Sequence, residues 1–195
     1  HHACEDISFL RSLPNMHVVC PGDAMEVRAA LRAALELKKP LYLRLGKKNE
    51  PIIHQEAPEF IIGKGMVIRE GNQVCLISTG NILPVVVEAA DLLEQQGIST
   101  KVVNMHTVKP LDESILEQIF SQFPLVATVE EHSLIGGLGS AIAEWLVDHH
   151  LVTTPLLRFG TKDQFLHATG NQDNGRFMVG LVPGNIVERI IKNIA

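Results

Sequence analysis

The sequence has few cysteines, few aromatic residues, no excess of positive charge and no long apolar run. Its three cysteines, Cys4, Cys20 and Cys75, are odd in number and far apart. This spacing fits neither a disulfide framework nor a CxxC metal site, and it favours a reducing, cytoplasmic location. The net charge of -5 argues against a nucleic-acid-binding protein. No apolar run approaches the roughly 18 residues of a membrane span, so no membrane partner is expected.

Hydrophobic residues make up 46% of the chain and charged residues 20%, which is typical of a globular protein with a real core. In the first part of the chain, residues 16–20 and 41–45 are predicted strands. The helix between them is predicted to begin at Asp23 as its N-cap, with Glu26 as the capping-box partner. A strand–helix–strand order of this kind predicts parallel pairing with a right-handed crossover.

The pattern weakens from about residue 50 to residue 63, and this stretch is interpreted as a linker between two units. Beyond it, strands and helices alternate to the end of the chain. Predicted strands are 74–79, 100–105, 125–129 and 156–160, and predicted helices are 81–96, 112–122, 140–149 and 185–194. The nearly continuous apolar run 74–79 is expected of a strand covered on both faces. The pattern therefore predicts an α/β fold with a covered, mostly parallel sheet.

The sequence opens on a polar cluster of His1, His2, Glu5 and Asp6, followed at once by a helix-like apolar pattern. Imidazoles beside carboxylates can perform acid–base chemistry or bind metal. Alternatively, Asp6 simply favours a helix N-terminus and the two histidines are the remnant of a tag. Because such clusters normally follow a strand, the chain is expected to be the C-terminal part of a larger protein, with only part of a site.

A second cluster, Arg44, Lys47 and Lys48, follows the predicted strand 41–45. Ligands of α/β sheets bind at the carboxyl ends of the strands, and paired cations there suit an anionic group such as phosphate. A solvated basic turn is an equally weighted alternative.

The third cluster is Glu130, Glu131 and His132, followed by the glycine-rich segment 136–139. Such a turn before a helix can bind phosphate on its backbone N–H groups. However, the third glycine of the dinucleotide fingerprint is missing, and the next predicted strand does not end at an acidic residue. A tight turn that lets the helix pack close to the sheet or to a partner subunit is therefore favoured.

The remaining candidates are weaker. The chain has histidines that lack metal-ligand spacing, and its tryptophan lies in an apolar helix stripe typical of core or interface. These residues are His106, His149, His150, His167 and Trp145.

Taken together, these motifs resemble the thiamine-diphosphate-dependent transketolase family. The spacing of His1 and Glu5 before Arg11-Ser12-Leu13-Pro14-Asn15, and then of Pro21, Asp23 and Glu26, is similar to the end of the family's pyrimidine-binding domain. The motifs that resemble the family's C-terminal domain are Val108–Asp112, Val129–His132, Gly136–Ser140 and Arg158–Phe165. The resemblance covers essentially the whole chain, with the motifs in the right order. In particular, the chain is similar to the separate C-terminal section of split transketolases. Compared with such a section, it is without the first hundred or so residues, which is about the size expected for the rest of the pyrimidine-binding domain.

This resemblance implies two domains: residues 1–55 as the C-terminal portion of the pyrimidine-binding domain, and residues 56–195 as a three-layer α/β/α transketolase C-terminal domain. It also implies a site. His1 matches the family histidine that contacts the sugar near the thiazolium, which makes a tag origin for His1 and His2 unfavourable. Lys47 falls where an arginine usually binds the substrate phosphate, and Arg44 can share that role. His1 is therefore the predicted catalytic residue, and His1, Arg44 and Lys47 are the predicted substrate-binding residues.

In the family, the glutamate that activates the cofactor and the aromatic residue that stacks on it lie upstream of His1. The diphosphate and its metal are bound by a GDG-type motif that this chain lacks. The resemblance thus implies thiamine diphosphate with Mg²⁺ or Ca²⁺ in the intact enzyme, and neither bound by this chain alone. The implied partners are an N-terminal transketolase section or domain, in a homodimer or heterotetramer, and sugar-phosphate substrates.

Two functions are open at this point. The first is the C-terminal part of a transketolase, which moves a two-carbon ketol unit between sugar phosphates and is inactive by itself. The second is a non-catalytic dimerisation or docking domain of a related enzyme, a deoxyxylulose-phosphate synthase or a 2-oxoacid dehydrogenase β subunit. The Arg11–Asn15 run and the context of His1 favour transketolase.

Overall fold

A computed structural model describes residues 4–47, 49–165, 167 and 169–194, and places their strands in two sheets. In these residues the strands are β1 (His17–Val19), β2 (Leu41–Leu43), β3 (Met66–Arg69), β4 (Val74–Thr79), β5 (Thr100–Asn104), β6 (Thr107–Lys109), β7 (Val126–Ser133) and β8 (Leu156–Thr161). The α-helices of the same residues are α1 (Asp6–Ser12), α2 (Ala24–Leu37), α3 (Leu83–Glu94), α4 (Glu113–Gln122), α5 (Leu138–Asp148), α6 (Gln172–Val179) and α7 (Pro183–Ile194). A 3₁₀ turn, Gly80–Ile82, leads into α3. Among the described helices, none is both long and apolar enough to cross a membrane.

The larger sheet has the strand order β3-β5-β4-β7-β8 and is parallel except for the edge strand β3. All six residues of β4 are buried, and alternate side chains enter different apolar clusters. Cys75 and Ile77 pack with residues of α4 and α5, whereas Val74 and Leu76 pack with residues of α3 and α7. The sheet is therefore covered on both faces, which confirms the predicted α/β/α layering.

The smaller sheet, with the order β2-β1-β6, draws on both halves of the chain. β1 and β2 are parallel, as the strand–helix–strand pattern predicts. β6 comes from far along the chain and pairs antiparallel with β1 on its other side. The Cys20 N–H also donates to the His106 carbonyl at 2.6 Å, just beyond the ladder. The first fifty residues are thus joined to the rest of the protein by main-chain hydrogen bonds.

Three elements were not predicted from the sequence: β3, β6 and α6. β6 has only three residues, and its partner strand lies some ninety residues earlier in the sequence, so no local apolar period marks it. β3 has four residues, of which Val67 is exposed. α6 has no buried residue at all. Short elements that bury little side-chain surface leave a weak periodic signal.

Helix α2 begins at Asp23, as predicted, but its capping differs in one respect. Asp23 Oδ1 accepts hydrogen bonds from the Met25 and Glu26 N–H groups, both at 2.9 Å. The Glu26 carboxylate does not complete a capping box. It accepts from the Gly22 N–H at 2.7 Å and from Asn104 Nδ2 at 2.8 Å. Because Glu26 is fully buried against the end of β5, these donors compensate the loss of its hydration.

Helix α1 is fixed to the second half of the chain by polar contacts with Lys109, Glu144 and His132. Lys109 Nζ donates to the carbonyls of Arg11 at 2.8 Å and Leu13 at 2.6 Å, which stabilises the C-terminal end of the helix. The guanidinium of Arg11 also pairs with Glu144 of α5. Near the helix start, the Ser8 N–H donates to His132 Nε2 at 3.4 Å. Through these contacts Arg11 joins α1 to α5.

Helix α5 begins at a buried carboxylate. Glu130 Oε2 accepts from the Leu138 N–H at 2.7 Å, and Oε1 accepts from the Gly139 N–H at 2.9 Å. A Cβ atom at Gly137 would lie 2.0 Å from Glu130 Oε2, so glycine is needed for this approach. The glycine-rich turn therefore brings the helix against the sheet, as favoured from the sequence. Burial raises the pKa of Glu130 to about 7, although the two amide donors act in the opposite direction.

The raised pKa of Glu130 predicts a measurable pH dependence of stability. A group whose pKa is higher in the folded state contributes stability below its unfolded pKa, near 4.5, and loses it as the pH rises through about 7. We expect the free energy of unfolding, from urea titrations, to fall more steeply between pH 5 and pH 8 in the wild type than in Glu130→Gln. Glu117→Gln, at an exposed glutamate of α4, is the matched control and should keep the wild-type slope. Equal slopes in all three proteins would contradict the prediction.

Candidate functional site

A cleft of about 750 Å³ opens where the two sheets meet. One side is formed by the start of α1, by β2 and by the loop that follows it. The other side is formed by the carboxyl ends of β4, β7 and β8 and by the segment that includes α6. The carboxyl ends of parallel strands are where α/β proteins bind ligands. The polar and charged residues that line the cleft include Asp6, Tyr42, Arg44, Lys47, Asn81, Glu131, Gln172 and Arg176.

Arg44 lies on the side of the cleft formed by α1 and β2, and it is held by Asp6. Arg44 Nε donates to Asp6 Oδ2 at 2.8 Å, and the Tyr42 hydroxyl donates to the same oxygen at 2.7 Å. The side chains of Arg44 and Asp6 are only 16% and 13% exposed. Burial, together with the Asp6 carboxylate, raises the pKa of Tyr42 to about 12, so the hydroxyl stays a donor at neutral pH. Asp6, a candidate acid–base residue by sequence, is thus engaged in orienting Arg44.

Lys47 lies on the same wall, in the loop after β2, with its side chain exposed. Its backbone N–H donates to Glu50 Oε1 at 3.2 Å. The same oxygen accepts from Asn81 Nδ2 at 2.6 Å, and Asn81 lies in the 3₁₀ turn after β4. The structure therefore brings Arg44 and Lys47, as predicted, to one cleft at the end of one strand. Lys48, the third member of the basic cluster, lies outside the described residues.

Glu131 forms the opposite wall together with two residues of α6. Its carboxylate accepts from Arg176 Nε at 2.7 Å and from Gln172 Nε2 at 2.8 Å and 3.1 Å. Arg176 Nη2 also donates to the Asn81 carbonyl at 3.0 Å. The Asn171 N-cap, followed by Asp173 in the first turn, is a signal from which α6 could have been predicted. The contact of Arg176 with Glu131, 45 residues earlier, has no local sequence signal.

The third cluster lies within strand β7, which runs to Ser133 and is longer than predicted. Because side chains alternate along a strand, Glu130 and His132 point away from the cleft and only Glu131 faces it. His132 is fully buried. Its Nε2 accepts from the Ser8 N–H, which assigns the proton to Nδ1, where the ring donates to the Ser133 carbonyl at 2.8 Å. Burial lowers the pKa of His132, so the ring is neutral and structural.

Other histidines lie in packed or stacked positions. His106 is 1% exposed and stacks on Phe60 with ring centroids 3.8 Å apart, and burial lowers its pKa to about 4. His149 stacks on Trp145, which belongs to the core as predicted. His1 and His2, including the predicted catalytic residue, lie outside the described residues. Glu5 lies at the N-cap of α1, with its carboxylate accepting from the Cys4 N–H at 3.0 Å.

Two features of the described residues bear on metal and diphosphate binding. In that part of the chain, no group of three or more His, Cys, Asp or Glu side chains could bind a metal ion. At the glycine-rich turn, the helix amides that could bind a diphosphate are already bonded to Glu130. The turn therefore does not fit the phosphates of thiamine diphosphate, and the cleft carrying Arg44 and Lys47 is the candidate site.

Comparison with known families gives two matches that cover most of the chain. The family model for "Transketolase, pyrimidine binding domain" matches residues 1–51, and the model for "Transketolase, C-terminal domain" matches residues 63–179. This family depends on thiamine diphosphate.

Curated relatives agree with these matches. A protein of Methanocaldococcus jannaschii, provisionally named a transketolase C-terminal section, is 37% identical over 196 residues, which is 100% of this chain and 60% of the relative. A 6-deoxy-6-sulfo-D-fructose transketolase subunit of a Clostridium species is 40% identical over 165 residues, covering 85% of this chain and 51% of the relative. A 1-deoxy-D-xylulose-5-phosphate synthase of Caldanaerobacter subterraneus is 39% identical over 168 residues, 85% of this chain and 27% of the relative. The chain thus spans at most about 60% of the length of these relatives.

Solved structures show the same fold. A split-gene transketolase, described as an inactive beta4 tetramer, aligns with a TM-score of 0.92 at 36% identity, over 98% of this chain and 62% of that one. A mutant transketolase of Pichia stipitis has a TM-score of 0.77 at 24% identity, over 98% of this chain and 27% of that one, and it supports the fold alone. Fold, family models and relatives agree, and the chain belongs to the transketolase family.

Proposed function

We propose that this chain is the C-terminal part of a transketolase-type transferase that moves a two-carbon ketol unit between sugar phosphates. The observation that carries the proposal is the cleft in which Arg44 and Lys47 lie together at the carboxyl end of β2. Two cations at that edge of a parallel sheet suit the phosphate group of a sugar phosphate. In this proposal, residues 1–55 complete the pyrimidine-binding domain and residues 56–195 form the C-terminal domain.

The two cations contribute differently. Lys47 is exposed in the cleft and binds the phosphate as a point charge, without the two-pronged geometry of an arginine. Arg44 is fixed by Asp6 and adds positive charge to the same wall. His1 contacts the sugar near the reacting carbon. The position of Cys4 on the cleft, three residues after His1 in the chain, supports this role.

Thiamine diphosphate and its Mg²⁺ or Ca²⁺ ion are, in this proposal, bound by residues outside this chain. The closed glycine-rich turn supports this assignment because its amides are taken by Glu130. The chain then supplies one wall of the substrate site, and an N-terminal section or domain supplies the cofactor. We further propose a homodimer or heterotetramer in the cytoplasm. The beta4 tetramer named for the similar split-gene structure supports an assembly of several chains, and the three free cysteines of this chain support the location.

A second candidate is the corresponding part of a 1-deoxy-D-xylulose-5-phosphate synthase. Its support is the 39% identity to the Caldanaerobacter subterraneus enzyme, close to the 40% identity to the Clostridium subunit. A non-catalytic docking or dimerisation role of this part of the chain is compatible with either enzyme. Substrate specificity of the assembled enzyme distinguishes the two: a transketolase transfers a ketol unit from a sugar phosphate, and a synthase of the second kind produces deoxyxylulose phosphate.

The proposed function requires a partner for activity. Residues 1–195 alone should show no binding of thiamine diphosphate by calorimetry and no ketol transfer in a coupled assay. Addition of the upstream residues and of an N-terminal section should restore both activities, because the cofactor is then held from both sides. Transfer by residues 1–195 alone would contradict the proposal. Full assembly without any transfer would favour a docking role.

The proposed contact between Lys47 and the substrate phosphate can be tested by substitution. In the assembled enzyme, Lys47→Ala should raise KM for a phosphorylated sugar by about 10-fold or more, because a charge-assisted contact is lost. The KM for the matching unphosphorylated sugar should change much less, and Lys47→Arg should restore most of the affinity. Lys39→Ala, at an exposed lysine that follows α2, is the control and should behave as the wild type. Equal effects of Lys47→Ala on both sugars would remove the phosphate role.

A further inference from the structure

A chain of hydrogen bonds connects α6 to the loop that carries Lys47. Arg176 Nη2 donates to the Asn81 carbonyl at 3.0 Å, and Asn81 Nδ2 donates to Glu50 Oε1 at 2.6 Å. The same Glu50 oxygen accepts from the Lys47 N–H at 3.2 Å. One carboxylate oxygen therefore joins the loop after β2 to the turn after β4, across the end of the cleft.

The Glu50 carboxylate lies directly against the main chain of Gly46. A Cβ atom at Gly46 would lie 1.9 Å from Oε1 and 2.2 Å from Oε2, so a larger residue would displace the carboxylate. The loop thus bends around Glu50, with Gly46 in contact with it and the Lys47 N–H bonded to it. The shape of this loop sets where the side chain of Lys47 begins.

Asn81 is itself held firmly on the other side. The neighbouring Gly80 N–H donates to the Cys20 carbonyl at 3.0 Å, which fixes the turn to the end of β1. Arg176, which contacts the Asn81 carbonyl, is only 11% exposed and is bound to Glu131. The backbone around Asn81 is therefore restrained from two directions, while its side-chain amide donates to Glu50.

Glu50 also places a negative charge near Lys47, the residue proposed to bind an anion. A carboxylate beside a lysine that binds an anion would weaken that binding through like-charge repulsion with the anion. The observed contacts of Glu50 are with donors, the Asn81 amide and the Lys47 N–H, rather than with the Lys47 ammonium. The acceptor oxygen of Glu50 therefore shapes the loop. Its negative charge, in contrast, weakens anion binding at Lys47.

We propose that Glu50, held by Asn81, is a positioning residue that fixes the Lys47 loop in the shape that binds the phosphate end of the substrate. This inference rests on the proposed function of Lys47. It extends the site from the wall that carries Lys47 to the turn after β4, and through Arg176 to α6.

The two obvious substitutions of Glu50 should have different effects on phosphate affinity, which a merely structural role does not require. In the assembled enzyme, Glu50→Ala removes the acceptor and should raise about fivefold both KM for a phosphorylated sugar and the inhibition constant of inorganic phosphate. Glu50→Gln keeps the acceptor oxygen and removes the charge, so both constants should stay at the wild-type value or fall. The ratio of KM values for phosphorylated and unphosphorylated sugars should rise in Glu50→Ala only.

The link between Glu50 and Asn81 is tested by a double-mutant cycle. Asn81→Ala should resemble Glu50→Ala, and the double variant should be no worse than either single one. Additive losses, equal effects of Glu50→Ala on both sugars, or a loss of affinity in Glu50→Gln as large as in Glu50→Ala would each overturn the inference. Circular dichroism melting curves of every variant identify any that fail to fold. If Asn81→Ala fails to fold, it is replaced in the cycle by Asn81→Ser, which also removes the amide donor and is judged by the same outcomes.

Hydrogen exchange separates a failure of this inference from a failure of the proposed function. The Lys47 amide should exchange slowly in the wild type and Glu50→Gln, and quickly in Glu50→Ala. If Lys47→Ala leaves phosphate affinity unchanged, the phosphate role of Lys47 is wrong. The exchange pattern then still tests whether Glu50 fixes the loop that carries Lys47. If Lys47→Ala weakens phosphate binding as expected but Glu50→Ala changes neither affinity nor exchange, the positioning role alone is wrong.

Discussion

The antiparallel pairing of β6 with β1 is the constraint on which the rest of the structure depends. It places a strand from the second half of the chain in the sheet of the first half, so that the two parts share main-chain hydrogen bonds. Lys109, at the end of β6, then reaches the C-terminal carbonyls of α1. The cleft exists because this pairing brings the end of β2 opposite the ends of β4, β7 and β8.

Buried and half-buried carboxylates fix the elements around that cleft. Asp6 orients Arg44, Glu130 begins α5, and Glu131 binds α6 through Arg176 and Gln172. Each of these groups loses hydration on folding and regains hydrogen bonds from amides, a hydroxyl or a guanidinium, which offsets the cost of burial. Since such donors must be placed accurately, each carboxylate also determines where a loop or helix begins. Charged residues near the cleft therefore serve its geometry as much as its chemistry.

The sequence predicted the regular core well and the polar contacts poorly. The apolar run at β4 and the periodic helices α3, α4, α5 and α7 are found close to their predicted positions because their burial is recorded in the local pattern of residues. The Asp23 N-cap was also predicted, since a cap acts over two or three residues. Glu26, in contrast, bonds to Asn104, 78 residues away, and no local rule selects that partner.

The candidate site divides in the same way. Arg44 and Lys47 were found from their place after a strand, whereas Glu131, Gln172, Arg176, Asn81 and Glu50 were identified as its other members only in the structure. The sequence by itself determined the α/β class, the family resemblance and the basic end of β2, because residue type and short-range spacing are sufficient for these. Only the tertiary structure decided that Glu130 closes the glycine-rich turn while Glu131 faces the cleft. The alternation of side chains along β7, and the pairing of strands far apart in sequence, set those directions.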